Sequence, residues 1–472
     1  MRIFRRISLA LSAAGILLAA SSAPLPAHAV PSFARQTGMD CTTCHMSWLE
    51  LTAVGRRFKL GGYQLMKAMP DDAQRPVVTL DFTDNPPLIP LAFMLQPSYT
   101  HVANSSLPAN DPNAFHDNDK LVLQQASVFL NGKLADHVGC FCQVTYDGTQ
   151  HHTSIDNFEV RLTPDEIKWQ GHEILPGIAM NNAPTMSDVY NTTPVWGWPY
   201  VASVVAPTPA ASTLINGGVQ QQVVGATGYA LLDRTVYLEA GAYRTADNEP
   251  WKRFRAGDQA VQLDGAAPYY RLALQHDWDK GHQSAMVGTF GFLARKYLVD
   301  ADFHRASDAT DRYRDIGLDA QYQYISDAHR FSAMLTLIKE NQTLDASYGA
   351  GAASNPSDSL KQLNIKASYY WHKWYGVSLG YQKTTGSADA LVYNTGATDS
   401  TGSISGSPNS SAWIAELNYL FSLSGAEDHR KYRLVLQYTA YNKFNGGTTN
   451  YDGFGRNAKD NNTLYLLAWL LY

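Results

Sequence analysis

The stretch DIGLDAQYQY, residues 315–324, alternates along its whole length. Ile316, Leu318, Ala320, Tyr322 and Tyr324 fall on one side of an extended chain, and Asp315, Gly317, Asp319, Gln321 and Gln323 on the other. Successive side chains of a strand point to opposite faces, so this reads as a strand with one greasy and one strongly polar face. Such a strand belongs to a soluble sandwich or to a barrel that crosses a membrane. YRLALQHDW (270–278) repeats the theme, with Leu272 and Leu274 opposed to Arg271, Gln275 and Asp277. In YRLVLQYTAY (432–441), Tyr432, Leu434, Leu436, Tyr438 and Ala440 oppose Arg433, Gln437 and Thr439.

Working outward, the same pattern places strands near 91–103, 120–132, 137–147, 155–162, 170–180, 218–231, 235–245 and 266–278. A second set lies near 282–297, 310–326, 328–344, 359–372, 374–385, 409–422, 429–442 and 461–472. That is about sixteen, an even number of the kind outer-membrane barrels have. The connections alternate between tight turns (133–136, 232–234, 279–281) and long stretches rich in Gly, Asn, Ser and Asp (181–217, 246–265, 386–408, 443–460). Short turns on one side of the membrane and long loops on the other give a barrel that parity, and a secreted all-β domain has no reason for it. The chain closes on TLYLLAWLLY (463–472), apolar on both faces. The loop segment NNAPTMSDVYNTTPVWGWPY (181–200) is too apolar to wave in solvent and is expected to fold into the lumen.

Composition agrees. Tyr (27) far outnumbers Phe (17) and Trp (10), which suits rings at a lipid–water boundary. Mean hydropathy is −0.26 and no run of 18 apolar residues follows the first segment, so helical spans are excluded. A net charge of −5 without a long basic stretch argues against nucleic acid. Residues 1–29 read as a signal peptide: Arg2, Arg5 and Arg6, an apolar run, then Ala27-His28-Ala29.

Half of the four cysteines fall in GMDCTTCHMSW (38–48) as Cys41 and Cys44, with His45 next. A CxxC in an exported chain can be a redox pair, a disulfide, half of a metal site or a haem anchor. Two thiols one helical turn apart can add to the two haem vinyl groups, and a histidine in the next position then sits beneath the iron. No second CxxC completes a zinc site. Asp40 is the expected N-cap of a helix that starts at Cys41, and Trp48, Leu51, Gly55 and Phe58 continue from Cys44 at helical spacing. The distal iron ligand falls to Met69, held extended before Pro70, with Met66 as the alternative; Met39 and Met46 adjoin the motif. The chain thus divides into signal peptide 1–29, a small α-helical c-type cytochrome segment 30–76 carrying one haem c, a linker 77–90, and a porin-like transmembrane β-barrel 91–472. A segment of that size buries too little core without a staple, which a covalent haem or docking on the barrel would supply.

Three weaker readings complete the set. Arg56, Arg57 and Lys59 are surface charges or, less often for such residues, partners of haem propionates. Asp111, His116, Asp117, Asp119, His151, His152, Asp300, Asp302 and His304 on the outer loops read as solvated side chains rather than a cation site, for want of fixed spacing. Cys140 and Cys142 share a strand face and read as small wall residues.

The run 31–65, with FARQTG (33–38), the CTTCH motif and GRRFKLGGY (55–63), resembles the fused cytochrome–porins of iron-oxidising bacteria, and NNAPT and NTTPVWGWP in the long loop are similar to that family's barrel. The resemblance implies an iron(II) oxidase in the outer membrane. Cys41, Cys44 and His45 would carry the haem, extracellular Fe(II) would be the donor, and a periplasmic cytochrome or copper protein the acceptor. A general conduit for other donors, and a porin with a structural haem plug, are the other two functions the same residues allow.

Overall fold

The computed structural model describes residues 32–47, 49–64, 90–105, 117–247, 252, 261–300, 304–393, 402–421 and 431–471. The signal peptide, Trp48, Met66, Met69, all of the linker but its last residue, and rim residues Asp111, His116 and Asp302 lie outside these.

Antiparallel strands follow one another in chain order: β1 (Leu91–Val102), β2 (Leu121–Ala135), β3 (Val138–Asp147), β4 (His152–Leu162), β5 (Ile167–Trp169) and β6 (His172–Asn181). Next come β7 (Val223–Leu232), β8 (Val236–Thr245), β9 (Ala267–Trp278), β10 (Gln283–Val299), β11 (Arg305–Ile325) and β12 (His329–Thr343). The wall ends with β13 (Ser357–Trp371), β14 (Tyr375–Gly386), β15 (Ser410–Phe421), β16 (Lys431–Lys443) and β17 (Thr463–Leu471). β4 and the short β5 are successive partners of β6, so the wall has sixteen positions. β1 pairs with β2 on one side and with β17 on the other, from Met94↔Leu471 to Val102↔Thr463. The sheet therefore closes and leaves no edge, the one way a β-sheet can satisfy its backbone in lipid.

The alternation of 315–324 sorts inside from outside, in the sense opposite to a soluble protein. Leu318 is 56% exposed, while Asp319 is 4% exposed and faces a filled lumen. Leu274, Val287, Leu337, Leu379 and Leu417 continue the exposed apolar belt. Near the short-turn end, Trp371, Tyr375, Tyr419 and Phe421 stack in a row with centroids 5.1–5.9 Å apart. Such rings anchor a barrel at the headgroup level. This is a porin-like barrel of the bacterial outer membrane.

The expected loop parity is looser than the sequence suggests. On the long-loop side, 103–120, 182–222, 246–266, 387–409 and 444–462 are long, but 148–151 and 300–304 are as short as turns on the opposite side. There β3/β4 and β10/β11 continue as ladders and use up the residues.

Two inserts fill the lumen. From the short-turn end comes the N-terminal segment, with α1 (Ser32–Thr37), α2 (Cys41–Cys44) and α3 (Ala53–Leu60). It touches opposite walls: Ser32 Oγ donates to Asn131 O on β2 (2.8 Å), and Tyr63 Oη donates to Glu159 on β4. Across the lumen, Arg56 donates to Gln323 on β11 (3.0 Å) and to Ser284 on β10 (2.6 Å). From the other end, residues 182–222 fold inward as expected, with Asn182, Thr185, Met186, Ser187, Val189 and Tyr190 fully buried. The inserts meet where Asn191 Oδ1 accepts from the Leu51 amide (2.9 Å) and Lys59 Nζ donates to the carbonyls of Met186 (2.8 Å) and Asp188 (2.9 Å).

Candidate functional site

The CTTC turn is held from several directions. Asp40 caps it, its carboxylate accepting from the Thr42 amide (3.0 Å), as its place before Cys41 predicts. Arg330 of β12 reaches across to the carbonyls of Thr42 (3.2 Å) and His45 (3.0 Å), which the end of so short a helix leaves without partners. The single helix expected to run on from Cys44 is instead broken. His45 is extended, Leu49 has φ +75°, and His45 bridges Leu51 before α3 begins at Ala53. This reversal brings α3 back onto the motif. It requires Gly55, since a Cβ there would stand 2.1 Å from the Cys44 carbonyl oxygen. At the bend, buried Glu50 accepts from Lys366 Nζ (2.8 Å), Ser332 Oγ (3.1 Å) and Gln323 Nε2 (3.1 Å), tying the motif to β11–β13.

Cys41, Cys44 and His45 line one cavity of about 120 Å³, between α1–α3 and the inward loop. Cofactor sites are mostly apolar. Here Phe33, Phe58, Tyr63, Phe141 and Trp196 form most of the wall. Phe33 stacks on Tyr63 (5.3 Å) and meets Phe58 edge-on (5.2 Å), while Phe141 meets Trp196 edge-on (5.8 Å). Burial lowers the His45 pKa to about 4, against a smaller raising effect of the Leu49 backbone, so the imidazole is neutral, the form that ligates a metal. Its Nδ1 is buried without a hydrogen-bond partner. Burial, with Cys41 nearby, pushes the Cys44 thiol up to about 12. Two thiols one helical turn apart, a neutral imidazole next to them and an apolar cavity are the set a covalently attached haem requires, and the residues fit it.

Of the methionines, Met39 lines this cavity, and Met46 is buried away from it in a cluster with Met94 and Tyr370. The two favoured distal ligands, Met69 and Met66, lie outside the described residues.

The reading of Arg56, Arg57 and Lys59 is corrected. Arg56 is 2% and Lys59 6% exposed, and both hold the segment in the lumen: Arg56 pairs with Asp277 (3.0 Å), and Lys59 bonds the inward loop. Arg57 lies 3.9 Å from Glu166. In water such a basic helix face would be solvated; here the polar surface is the barrel's inner wall. Cys140 and Cys142 are free thiols on the strand face shared with lipid-exposed Val144 and Tyr146. At the rim, Asp119 accepts from Tyr99 Oη (2.8 Å) and bonds His101 Nδ1 (2.8 Å), and Asp117 and Asp300 have close partners in Lys120 and His304. Among the described residues no group of His, Cys, Asp or Glu is placed to hold a metal ion. Sequence reasoning missed Phe141, Asp188, Asn191 and Trp196 at the cavity. The apolar character of 181–200 was the available signal.

No known family's profile matches the chain, and no curated protein matches it. Solved structures similar to it include the outer membrane channel DcaP of Acinetobacter baumannii, at 12% identity and TM-score 0.42 over 81% of this chain and 96% of that one. An anion-selective porin from Comamonas acidovorans has 11% identity and TM-score 0.41 over 81% and 98%. A loop-deleted OmpT of Vibrio cholerae has 10% identity and TM-score 0.40 over 81% and 98%. At these identities nothing about cargo or activity transfers to this chain. By its own closed wall and apolar belt, the chain is a porin-like outer-membrane barrel with a CxxCH segment folded into its lumen.

Proposed function

We propose that this protein is an outer-membrane cytochrome–porin that oxidises extracellular Fe(II) and passes the electron to a periplasmic cytochrome or copper protein. The observation that carries the reading is the convergence of Cys41, Cys44 and His45 on one apolar cavity inside the lumen. Fe(II) would give up one electron to become Fe(III), and a haem c held by Cys41, Cys44 and His45 would supply the one-electron relay to the periplasmic carrier. Cys41 and Cys44 tether the group and His45, kept neutral by burial, offers the proximal lone pair. Met69, with Met66 as the alternative, would supply a thioether ligand to the iron, and such a ligand raises the potential. Phe33, Phe58, Tyr63 and Trp196 give the site its apolar wall. The membrane is an insulator, so a redox group held within the barrel would connect an outer donor to an inner acceptor.

Anaerobic addition of Fe(II) to the purified haem-bearing protein, followed at the haem absorption band, tests this. Fe(II) should reduce the haem, and His45→Ala should abolish that reduction. A haem reduced by dithionite but not by Fe(II) overturns the reading.

A further inference from the structure

Beside the CxxCH cavity lies a second, larger void of about 500 Å³. The two share Phe33, His45, Leu49, Phe141 and Trp196, so only those side chains divide them. The void follows the inner wall of β1–β4 from Asn131, near the short turns, to Gln124, Ala202, Val204 and Gln220 toward the long loops. Ala202 and Val204 are exposed, so the void has a solvent-facing mouth on that side. Its polar lining consists largely of amides: Gln96, Gln124, Gln143 and Asn157 project from successive strands. They are set in place, for Gln143 Oε1 accepts from Asn157 Nδ2 (2.9 Å) and Gln124 Nε2 donates to Ala202 O (3.0 Å). Its one carboxylate is Asp156, and no lysine or arginine lines it.

A passage of neutral carbonyl oxygens lets a hydrated cation keep or exchange its water without binding tightly, and a lone carboxylate sets the sign of the favoured ion. We infer that this amide-lined aisle is the route by which a small hydrated divalent cation reaches the cavity at His45 from the long-loop side. The inference rests on the Fe(II) reading and adds the path, its selectivity and the residues that set both. Asp156 favours cations over anions, Gln96 lies midway, and Trp196 and Phe141 stand at the inner end.

The test uses the full chain in the outer membrane of intact cells, with Cys140→Ser and Cys142→Ser removing background thiols. Gln96→Cys is treated with small cationic and small anionic methanethiosulfonates, and labelling is read by peptide mass. The cationic reagent should label Gln96→Cys about tenfold faster than the anionic one, and Asp156→Asn should erase that preference. Ser368→Cys, on the packed side where Ser368 bonds Ser378 (2.7 Å), should stay unlabelled. A Gln96→Cys that neither reagent reaches, or that both label at equal rates, overturns the inference. In the haem-bearing protein, Gln96→Trp should slow reduction by Fe(II) about tenfold; an unchanged rate also overturns it. If Gln96→Cys labels as expected while Fe(II) fails to reduce the wild-type haem, the iron-oxidising reading falls and the aisle stands as a cation path.

Discussion

Around Arg271 the lumen is packed with charge, whereas along β1–β4 it is lined with amides beside a void. On the first side Arg271 sits between Asp319 (2.7 Å) and Asp188 (3.2 Å), Arg56 reaches Asp277 (3.0 Å), and Lys366 reaches Glu50 (2.8 Å). Arg271–Asp188, Arg56–Asp277 and Lys366–Glu50 each join a luminal insert to the wall, and Arg271–Asp319 joins two wall strands. On the second side the inserts reach β2 at Asn131 and Gln124, and the void remains between those contacts. A buried ion pair resists separation because each member left alone would be an uncompensated charge, while an amide can exchange its partner for water. Charge in this lumen therefore acts as glue, and neutral polarity marks the space kept open.

Removing the glue should have the largest effect. Arg271→Ala strands Asp188 and Asp319 and is expected to destabilise by about 3–5 kcal/mol, read as a lower urea midpoint in vesicles and protease cleavage within 182–222. Gln96→Ala, on the hollow side, should leave the same midpoint nearly unmoved, and equal losses would erase the contrast.

A pH effect comes next. Burial lowers Lys59 to about 8 from its ordinary 10.5, with Glu159 opposing the shift. Between those values the released segment holds a proton that the docked one does not. Docking of 32–64 should therefore strengthen as pH rises from about 8 to about 10.5, by on the order of 3 kcal/mol, with no further gain above. Denaturation of the segment across that window should show the slope, and Lys59→Met should flatten it.

A smaller loss is expected from Gly139→Ala on β3, where a Cβ would stand 1.9 Å from the Gly62 carbonyl oxygen. Overpacking at that contact costs about 1–3 kcal/mol and should expose 32–64 to limited proteolysis. Least affected is the exterior: Arg312→Ala breaks an exposed pair with Asp345 (3.1 Å) and should change stability by at most about 1 kcal/mol.

The wall was legible because a barrel strand must repeat with period two. Residues 315–324 carry that repeat, and the expected 266–278 differs from β9 by one residue at its start and 328–344 from β12 by one at each end. β11 begins at Arg305 rather than near 310, since its outer end is polar on both faces and carries no alternation to read. CTTCH was legible as local chemistry. The fold of its surroundings was not. Glu50 and Arg56 take their partners from β9–β13, more than 200 residues away, and no local pattern announces a carboxylate that will be met by Lys366. The bend at Leu49 was hidden too, because a φ of +75° at a leucine is imposed by what packs on either side of it.

The central claim is that the cysteine pair in the lumen holds a covalent haem. The most direct measurement is the mass of the denatured chain, purified from a host that attaches c-type haem. The account predicts one haem per chain, lost when Cys41 and Cys44 are both replaced by alanine. A wild-type mass equal to that of the bare polypeptide would contradict it.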